Sequence, residues 1–205
     1  MLTIWGRLNS LNVQKVLIAC HELGLSFERI DAGLAFGVVQ SPEYKAMNPN
    51  SVVPTINDDG FVLWESNVIT RYLCAKHAHK GFWIEDVLRR ADVERWMDWQ
   101  QTSFNPHLTT VFWGTVRQPG AVAEAEIEKA RLRLEAMTLM LEARLEKNRW
   151  ISGETFGMAD LVLASGVHRW LNLPVERPSR PRIEAYYAAL MQRPSAQTYL
   201  TLPLT

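Results

Sequence analysis

The sequence predicts an α/β domain followed by an all-helical domain. In the first third of the chain, short apolar runs alternate with segments of helical spacing, and beyond about residue 87 no convincing strand pattern appears. Of the 205 residues, 47% are hydrophobic, which is enough for a well-packed core. We therefore place the domains at residues 1–80 and 87–205, with the linker around His77–Gly81.

The N-terminal elements are a strand, a helix and a second strand. Residues 2–6 form a short apolar run, and residues 10–23 place apolar side chains three and four positions apart, as a helix does. Gly24 follows as a typical helix stop. Residues 26–31 then alternate apolar and polar side chains, which predicts a half-buried strand.

A hairpin and a further helix complete this domain. Residues 52–56 and 61–64 are apolar runs separated by an Asp-Gly turn, which predicts an antiparallel hairpin. Glu65 and Ser66 then open a helix. With a short helix before the hairpin, the order is strand, helix, strand, helix, strand, strand, helix.

The rest of the chain is predicted to be helical. Residues 88–117 are amphipathic and rich in tryptophan, and residues 121–147 follow after a Gln-Pro-Gly break. We predict three further helices, at about 158–170, 181–192 and 195–201.

Composition and charge argue against several classes of function. Basic and acidic residues balance at 22 each, so we expect no nucleic-acid partner and no membrane partner. The N-terminus does not resemble a secretory signal, and no apolar run has the length of a membrane span. Cys20 and Cys74 have neither a C-x-x-C partner nor metal-ligand spacing, so we expect reduced buried thiols, no metal and a cytoplasmic location.

Two features of the hairpin region suggest a ligand site. A strand–helix–strand unit followed by a hairpin that a proline opens resembles a thioredoxin-like fold, in which such an X-Pro bond is often cis. A cis Val53–Pro54 bond leaves the Val53 backbone free to pair with an extended peptide, whereas a trans proline at an edge strand is the alternative. Glu65 and Ser66 offer a carboxylate, a hydroxyl and helix-start N–H groups, which suit the ammonium and carboxylate of an amino acid. The alternative is that Ser66 only caps its helix.

These motifs occur together and in order. The string N-P-N-S-V-V-P-T-I, an Asp-Gly turn and the string L-W-E-S-N-V-I-T-R-Y-L closely resemble the glutathione-binding region of the glutathione S-transferase family. The resemblance extends over the whole chain, and G-E-T-F-G-M-A-D at 153–160 resembles a helix start in the family's helical domain. It implies a thioredoxin-like N-terminal domain, an all-α C-terminal domain, glutathione as co-substrate and a homodimer.

The resemblance also implies roles for individual residues. The Val53 backbone, exposed by cis Pro54, would pair with the cysteinyl unit of glutathione, and Glu65 with Ser66 would hold the γ-glutamyl end. Position 52 often carries a lysine in similar members, and Val52 here leaves Gln40 or Lys45 to hold the glycine carboxylate.

The thiol is expected at the start of the first helix, near Ser10 and Asn12. The tyrosine of some family members is absent from residues 5–7, and no cysteine lies near position 10. The pattern is similar to members that stabilise the thiolate with a hydroxyl and an asparagine amide. Simple capping of the helix by either side chain is the alternative.

Two further expectations concern the helical part. Gly157 replaces the serine or threonine that usually caps this family's buried helix, and Asp160 can still accept the Gly157 N–H. We expect a second-substrate pocket between the domains. The alternative for each candidate residue is that it only packs within a helix or lies on the surface. The candidates are Phe36, Phe104, His107, Val111 and Trp113.

The leading prediction is a glutathione transferase that activates the thiol for attack on a small, hydrophobic electrophile, as in detoxification. The alternatives are a glutathione-dependent disulfide or peroxide reductase and a non-catalytic interaction module of the same fold.

Overall fold

Two units make up the chain in the computed structural model, which describes residues 1–205: Met1–Ile84 and Glu85–Thr205. The first unit combines a four-stranded sheet with helices, and the second contains helices and no strand. The predicted fold class, an α/β domain followed by an all-helical domain, is therefore confirmed.

The first unit is built on a mixed sheet. Its strands follow the order β2-β1-β3-β4, with β1 parallel to β2 and antiparallel to β3, while β3 and β4 form the predicted antiparallel hairpin. Its elements are β1 (Leu2–Trp5), α1 (Leu11–Glu22), β2 (Phe27–Ile30), α2 (Pro42–Met47), β3 (Thr55–Asp58), β4 (Phe61–Trp64) and α3 (Ser66–Lys76).

Apolar side chains of the sheet and of two helices form the core of this unit. Ile4 of β1 faces Ile56 of β3 in the strand register, and both are fully buried. Helices α1 and α3 pack against each other, with Leu17 and Leu73 among their fully buried residues. Because of this packing, the start of α1 and the start of α3 lie on the same side of the sheet. These two helix starts contain the residues predicted to bind the ligand.

The second unit consists of helices of very different burial. They are α4 (Val87–Trp99), α5 (Asn105–Phe112), α6 (Glu124–Lys147), α7 (Met158–Asn172), α8 (Pro181–Leu190) and α9 (Pro194–Tyr199). Two π-helical segments, Gln100–Phe104 and Trp113–Arg117, flank α5, so the predicted long helix is continuous but has wider, π-helical turns at two places. The first segment precedes Pro106, which has no N–H for a regular helical hydrogen bond.

Helix α7 lies at the centre of this unit and is buried from Met158 to Trp170. The N–H of Gly157 donates to Asp160 Oδ2 at 3.0 Å, as predicted. Ser152 supplies the hydroxyl that Gly157 lacks, because its Oγ accepts the N–H of Ala159 at 3.0 Å. The capping group of α7 therefore comes from the loop before the helix.

Candidate active site

The turn between β1 and α1 places two small polar residues at a helix start. The Ser10 N–H donates to the Arg7 carbonyl at 3.2 Å, and Ser10 has extended backbone angles of φ −83° and ψ 122°. The Ser10 side chain makes no capping hydrogen bond to α1. Its hydroxyl is thus not committed to capping, the alternative role that the sequence left open.

A cavity of about 520 Å³ opens beside this turn. Four of the residues predicted for the site line it: Ser10, Asn12, Gln40 and Val53. The remaining lining residues are Arg7, Gly33, Leu34, Gly37, Val39, Ser51 and Val52. Asn12 Oδ1 is buried and has no hydrogen-bond partner in the protein. A buried polar atom without a partner is costly, and a bound polar ligand would supply one.

Arg7 is the only charged residue in this lining, and our sequence reasoning did not assign it a role. Its Nη1 lies against Gly33, where an added Cβ would approach that nitrogen to 3.0 Å. Gly33 also has a φ of 85°, which favours glycine. Two features of the sequence could have indicated a ligand-binding role for Arg7. It is a cation just after the first strand, and Val52 stands where similar proteins often have a lysine.

A buried hydrogen-bond network holds the wall of the cavity at Val52 and Val53. Tyr44 Oη and Asn48 Nδ2 both donate to the Val52 carbonyl, at 2.8 and 2.9 Å. Thr55 Oγ1 is hydrogen-bonded to both of these donors, to Tyr44 Oη and to Asn48 Nδ2. The Val53–Pro54 bond is cis, as predicted. No hydrogen bond of the protein uses the Val53 backbone, which leaves it open to a ligand.

The start of α3 carries the other predicted group. Glu65 has a φ of 74°, a backbone conformation that non-glycine residues rarely adopt and that is often found at ligand sites. Ser66 is 2% exposed, and its Oγ is buried without a hydrogen-bond partner. Neither residue is part of the cavity lining. The structure therefore gathers the predicted residues in two places, at the start of α1 and at the start of α3.

A buried lysine connects these two places, and the sequence pattern does not predict its burial. Lys15 of α1 is 0% exposed, and its Nζ donates to Asn67 Oδ1 of α3 at 3.1 Å. Burial lowers the pKa of Lys15 to about 7, against the opposing effect of the Glu65 charge. On the sequence pattern Lys15 resembled an ordinary polar position between apolar ones, and only the packing of α1 on α3 buries it.

Neither cysteine has the properties of a nucleophilic thiol. Cys20 and Cys74 are free and fully buried. Burial raises the pKa of each thiol to about 12, with Asp58 adding to the effect at Cys20. Their thiolates are therefore strongly disfavoured near neutral pH.

The residues predicted for a second-substrate pocket have different environments. Phe36 is 52% exposed, whereas Phe104 and Val111 are 1% and 0% exposed. Phe104 stacks on Trp99 at a centroid distance of 5.4 Å, which gives it a packing role in the helical unit. His107 and Trp113 are half-buried.

Two general findings accompany this geometry. No helix combines the length and apolar character needed to cross a membrane. No three His, Cys, Asp or Glu side chains are grouped in a way that could hold a metal ion.

Comparison with known proteins identifies the family. The family models described as glutathione S-transferase N-terminal domain and C-terminal domain match residues 9–76 and 104–194. The chain is 39% identical to glutathione S-transferase GstB of Escherichia coli strain K12, over 100% of both chains. It is 30% identical to glutathione S-transferase 3 of Zea mays, covering 99% of this chain and 95% of the relative.

A solved structure gives the same result. The theta class glutathione S-transferase of Xanthomonas axonopodis pv. citri, crystallised with glutathione bound, matches with a TM-score of 0.95 at 40% identity, covering 100% of this chain and 99% of that one. The two-part fold, the cavity at the start of α1 and these similarities lead to one conclusion. This chain belongs to the glutathione S-transferase family.

Proposed function

We propose that this chain binds glutathione along the cavity wall formed by Val53 and transfers it, through its thiolate, to a small hydrophobic electrophile. The observation that carries this proposal is the cavity itself. It joins a hydroxyl, an amide and one guanidinium, from Ser10, Asn12 and Arg7, to a stretch of unpaired backbone at Val53. These groups match a thiolate, a peptide and a net negative ligand.

The chemistry requires stabilisation of an anion. A free thiol with a pKa near 8.5 is only a few per cent ionised at neutral pH, and the thiolate is the nucleophile. Lowering that pKa by about two units requires a preference of about 2.7 kcal/mol for the anion. Hydrogen bonds from Ser10 and the Asn12 amide, with the α1 dipole, are of the right magnitude. In the transfer step the sulfur forms a bond to the electrophilic carbon and the leaving group departs with the bonding electrons.

The γ-glutamyl end is assigned to the start of α3. Ser66 Oγ and the first N–H groups of the helix would bind the α-carboxylate, and Glu65 would bind the α-ammonium. Gln40 and Arg7 are the cavity residues available to the glycine carboxylate, since Val52 is uncharged and Lys45 does not line the cavity.

Calorimetric titration with glutathione tests the binding site. We expect Ser66→Ala to weaken binding by about 1–3 kcal/mol, the range for losing a hydrogen bond to a charged group. The exposed Ser26, changed to alanine, is the matched control and should leave the affinity unchanged. An unaltered affinity in a correctly folded Ser66→Ala protein would show that the γ-glutamyl site lies elsewhere.

Two activity assays separate the alternative functions. Conjugation of a chlorinated dinitrobenzene supports the transferase. Reduction of a glutathione mixed disulfide without conjugation would indicate a reductase instead. Retention of the fold without glutathione binding would indicate the non-catalytic interaction module.

We also propose a cytoplasmic homodimer, on the family resemblance. Exposed apolar side chains on both units, such as Phe61 and Leu139, agree with further burial on association. Sedimentation equilibrium should give about twice the chain mass of 23.5 kDa. A species of single-chain mass at micromolar concentration would contradict the dimer.

A further inference from the structure

Lys15 is a fully buried cation whose place in the site the proposed function leaves unexplained. Its ammonium donates to Asn67 Oδ1 at 3.1 Å, and Asn67 follows Ser66 in the first turn of α3. Burying an ammonium group costs several kcal/mol unless charges and hydrogen bonds compensate. A buried cation at this point therefore depends strongly on what negative charge is near it.

In the ligand-free protein, Glu65 is the charge that favours the protonated form of Lys15. Burial has the larger effect, and it lowers the pKa of Lys15 to about 7. The α1 and α3 helices carry no other ionisable group in the turns next to Lys15 and Asn67 apart from Arg71, one turn further along α3. The remaining ionisable groups of the two helices and the sheet are Cys20, His21, Glu22, Glu28, Arg29, Asp58, Tyr72, Cys74 and Lys76.

A ligand carboxylate at the start of α3 would bring a second negative charge to this cation. Ser66 Oγ, buried without a partner, immediately precedes Asn67 in the chain. The ligand's ammonium would pair with the exposed Glu65, where water screens both charges, whereas the carboxylate would lie at the buried Ser66, where its charge is screened less. A nearby negative charge favours the protonated form of a lysine, and by linkage the protonated lysine favours the carboxylate.

We propose that Lys15 is a positioning residue of the γ-glutamyl site: its protonated side chain fixes Asn67 in the first turn of α3, and binding of the ligand carboxylate there protonates Lys15 in those molecules in which it is neutral. This inference rests on the proposed function, because it takes the ligand to be a γ-glutamyl compound. It also explains why the two ends of the site lie on helices joined by a buried polar contact.

The test uses S-methylglutathione, which has no ionisable thiol and so reports no proton release from sulfur. Its binding to the full-length protein is measured by calorimetry near pH 7.5 in buffers of different ionisation enthalpy. With a pKa about 7 in the free protein, we expect uptake approaching about 0.7 protons per ligand bound. We also expect the affinity to fall by up to about tenfold per pH unit above pH 7.

Three variants complete the experiment. Lys15→Met replaces the ammonium by an unbranched apolar side chain that is one atom shorter, and it should abolish both the proton uptake and the pH dependence. Lys15→Arg should retain binding without proton uptake, since arginine stays charged. Lys80→Met, at an exposed lysine, is the control and should behave as the wild type.

Each outcome decides between the two proposals. Binding of S-methylglutathione to the wild type with no dependence on buffer enthalpy would overturn the role of Lys15 and leave the glutathione site intact. Absence of any binding would overturn the proposed function, and this inference with it. The wild-type measurement decides the matter even if Lys15→Met fails to fold.

Discussion

Ser10 and Asn12 line the cavity at the start of α1, and we propose that they stabilise the glutathione thiolate. Asn12 carries a buried amide oxygen without a partner, and the hydroxyl of Ser10 does not cap α1. We predict that Asn12→Ala raises the apparent pKa of bound glutathione, because the amide N–H no longer stabilises the anion. Turnover should then fall more at mildly acidic than at alkaline pH, with a similar or smaller effect for Ser10→Ala. Absorbance of the thiolate near 240 nm against pH measures the shift.

The same absorbance titration also tests whether the backbone, rather than these side chains, stabilises the glutathione thiolate. If neither variant moves the absorbance curve, backbone N–H groups and the α1 dipole hold the thiolate without these side chains. Circular dichroism is the control that both variants are folded.

Arg7 gives a second prediction at the scale of one residue. It is the only charge in the cavity lining, so we predict that Arg7→Gln weakens glutathione binding by about tenfold, the effect of one charge-assisted hydrogen bond. Arg7→Lys should recover part of the loss, and the difference should shrink at high salt. Calorimetry against Lys45→Gln distinguishes the two cations, because Lys45 is exposed and does not line the cavity. A larger loss for Lys45→Gln than for Arg7→Gln would reverse this assignment.

At the scale of an element, the start of α7 shows how one substitution is compensated by another residue. An added Cβ at Gly157 would lie 2.9 Å from Ser152 Cβ, so the glycine makes room for the serine that caps the helix. We predict that Ser152→Gly, which removes the capping hydroxyl, lowers the free energy of unfolding by about 1 kcal/mol. Gly157→Ser alone should also destabilise, whereas combining it with Ser152→Gly should recover much of the loss.

Urea denaturation of the two single variants and the double variant measures this coupling. Additive losses in the double variant would mean that the two positions do not share the capping role. Asp160 is common to all these proteins, and its Oδ1 accepts the Ile151 N–H at 2.8 Å, so the loop before α7 stays anchored throughout.

At the scale of the whole molecule, a buried histidine makes stability depend on pH. His168 Nδ1 lies 2.8 Å from the Tyr187 hydroxyl, and burial, with a smaller effect of Arg169, lowers its pKa to about 4. The unfolded chain, with a histidine pKa of 6.5, therefore binds a proton that the folded chain does not bind between about pH 6.5 and pH 4. We predict that acidification through this window removes up to about 3 kcal/mol of stability.

Chemical denaturation at several pH values, compared with His168→Gln, isolates this contribution from that of the carboxylates. The variant should lose less stability than the wild type between neutral and mildly acidic pH. Parallel curves for the two proteins would show that His168 does not titrate differently on folding.

The sequence by itself determined the order of elements and the family. Period-two and helical spacing, glycine stops and the Asp-Gly turn are local signals, and local backbone preference decides them. The cis bond before Pro54 was also predictable, because it belongs to a motif of contiguous residues. The same holds for Asp160, whose partner Gly157 is three positions away.

Only the tertiary structure decided which polar residues share an environment. Lys15 and Asn67 are 52 positions apart, and Arg7 and Gly33 meet only because β1, β2 and the loop after β2 fold together. Likewise Phe104, a candidate for the second-substrate pocket, is buried by helix packing, which its position in the sequence does not reveal. The physical reason is that the desolvation and pairing of a side chain depend on distant segments, and no local pattern records them.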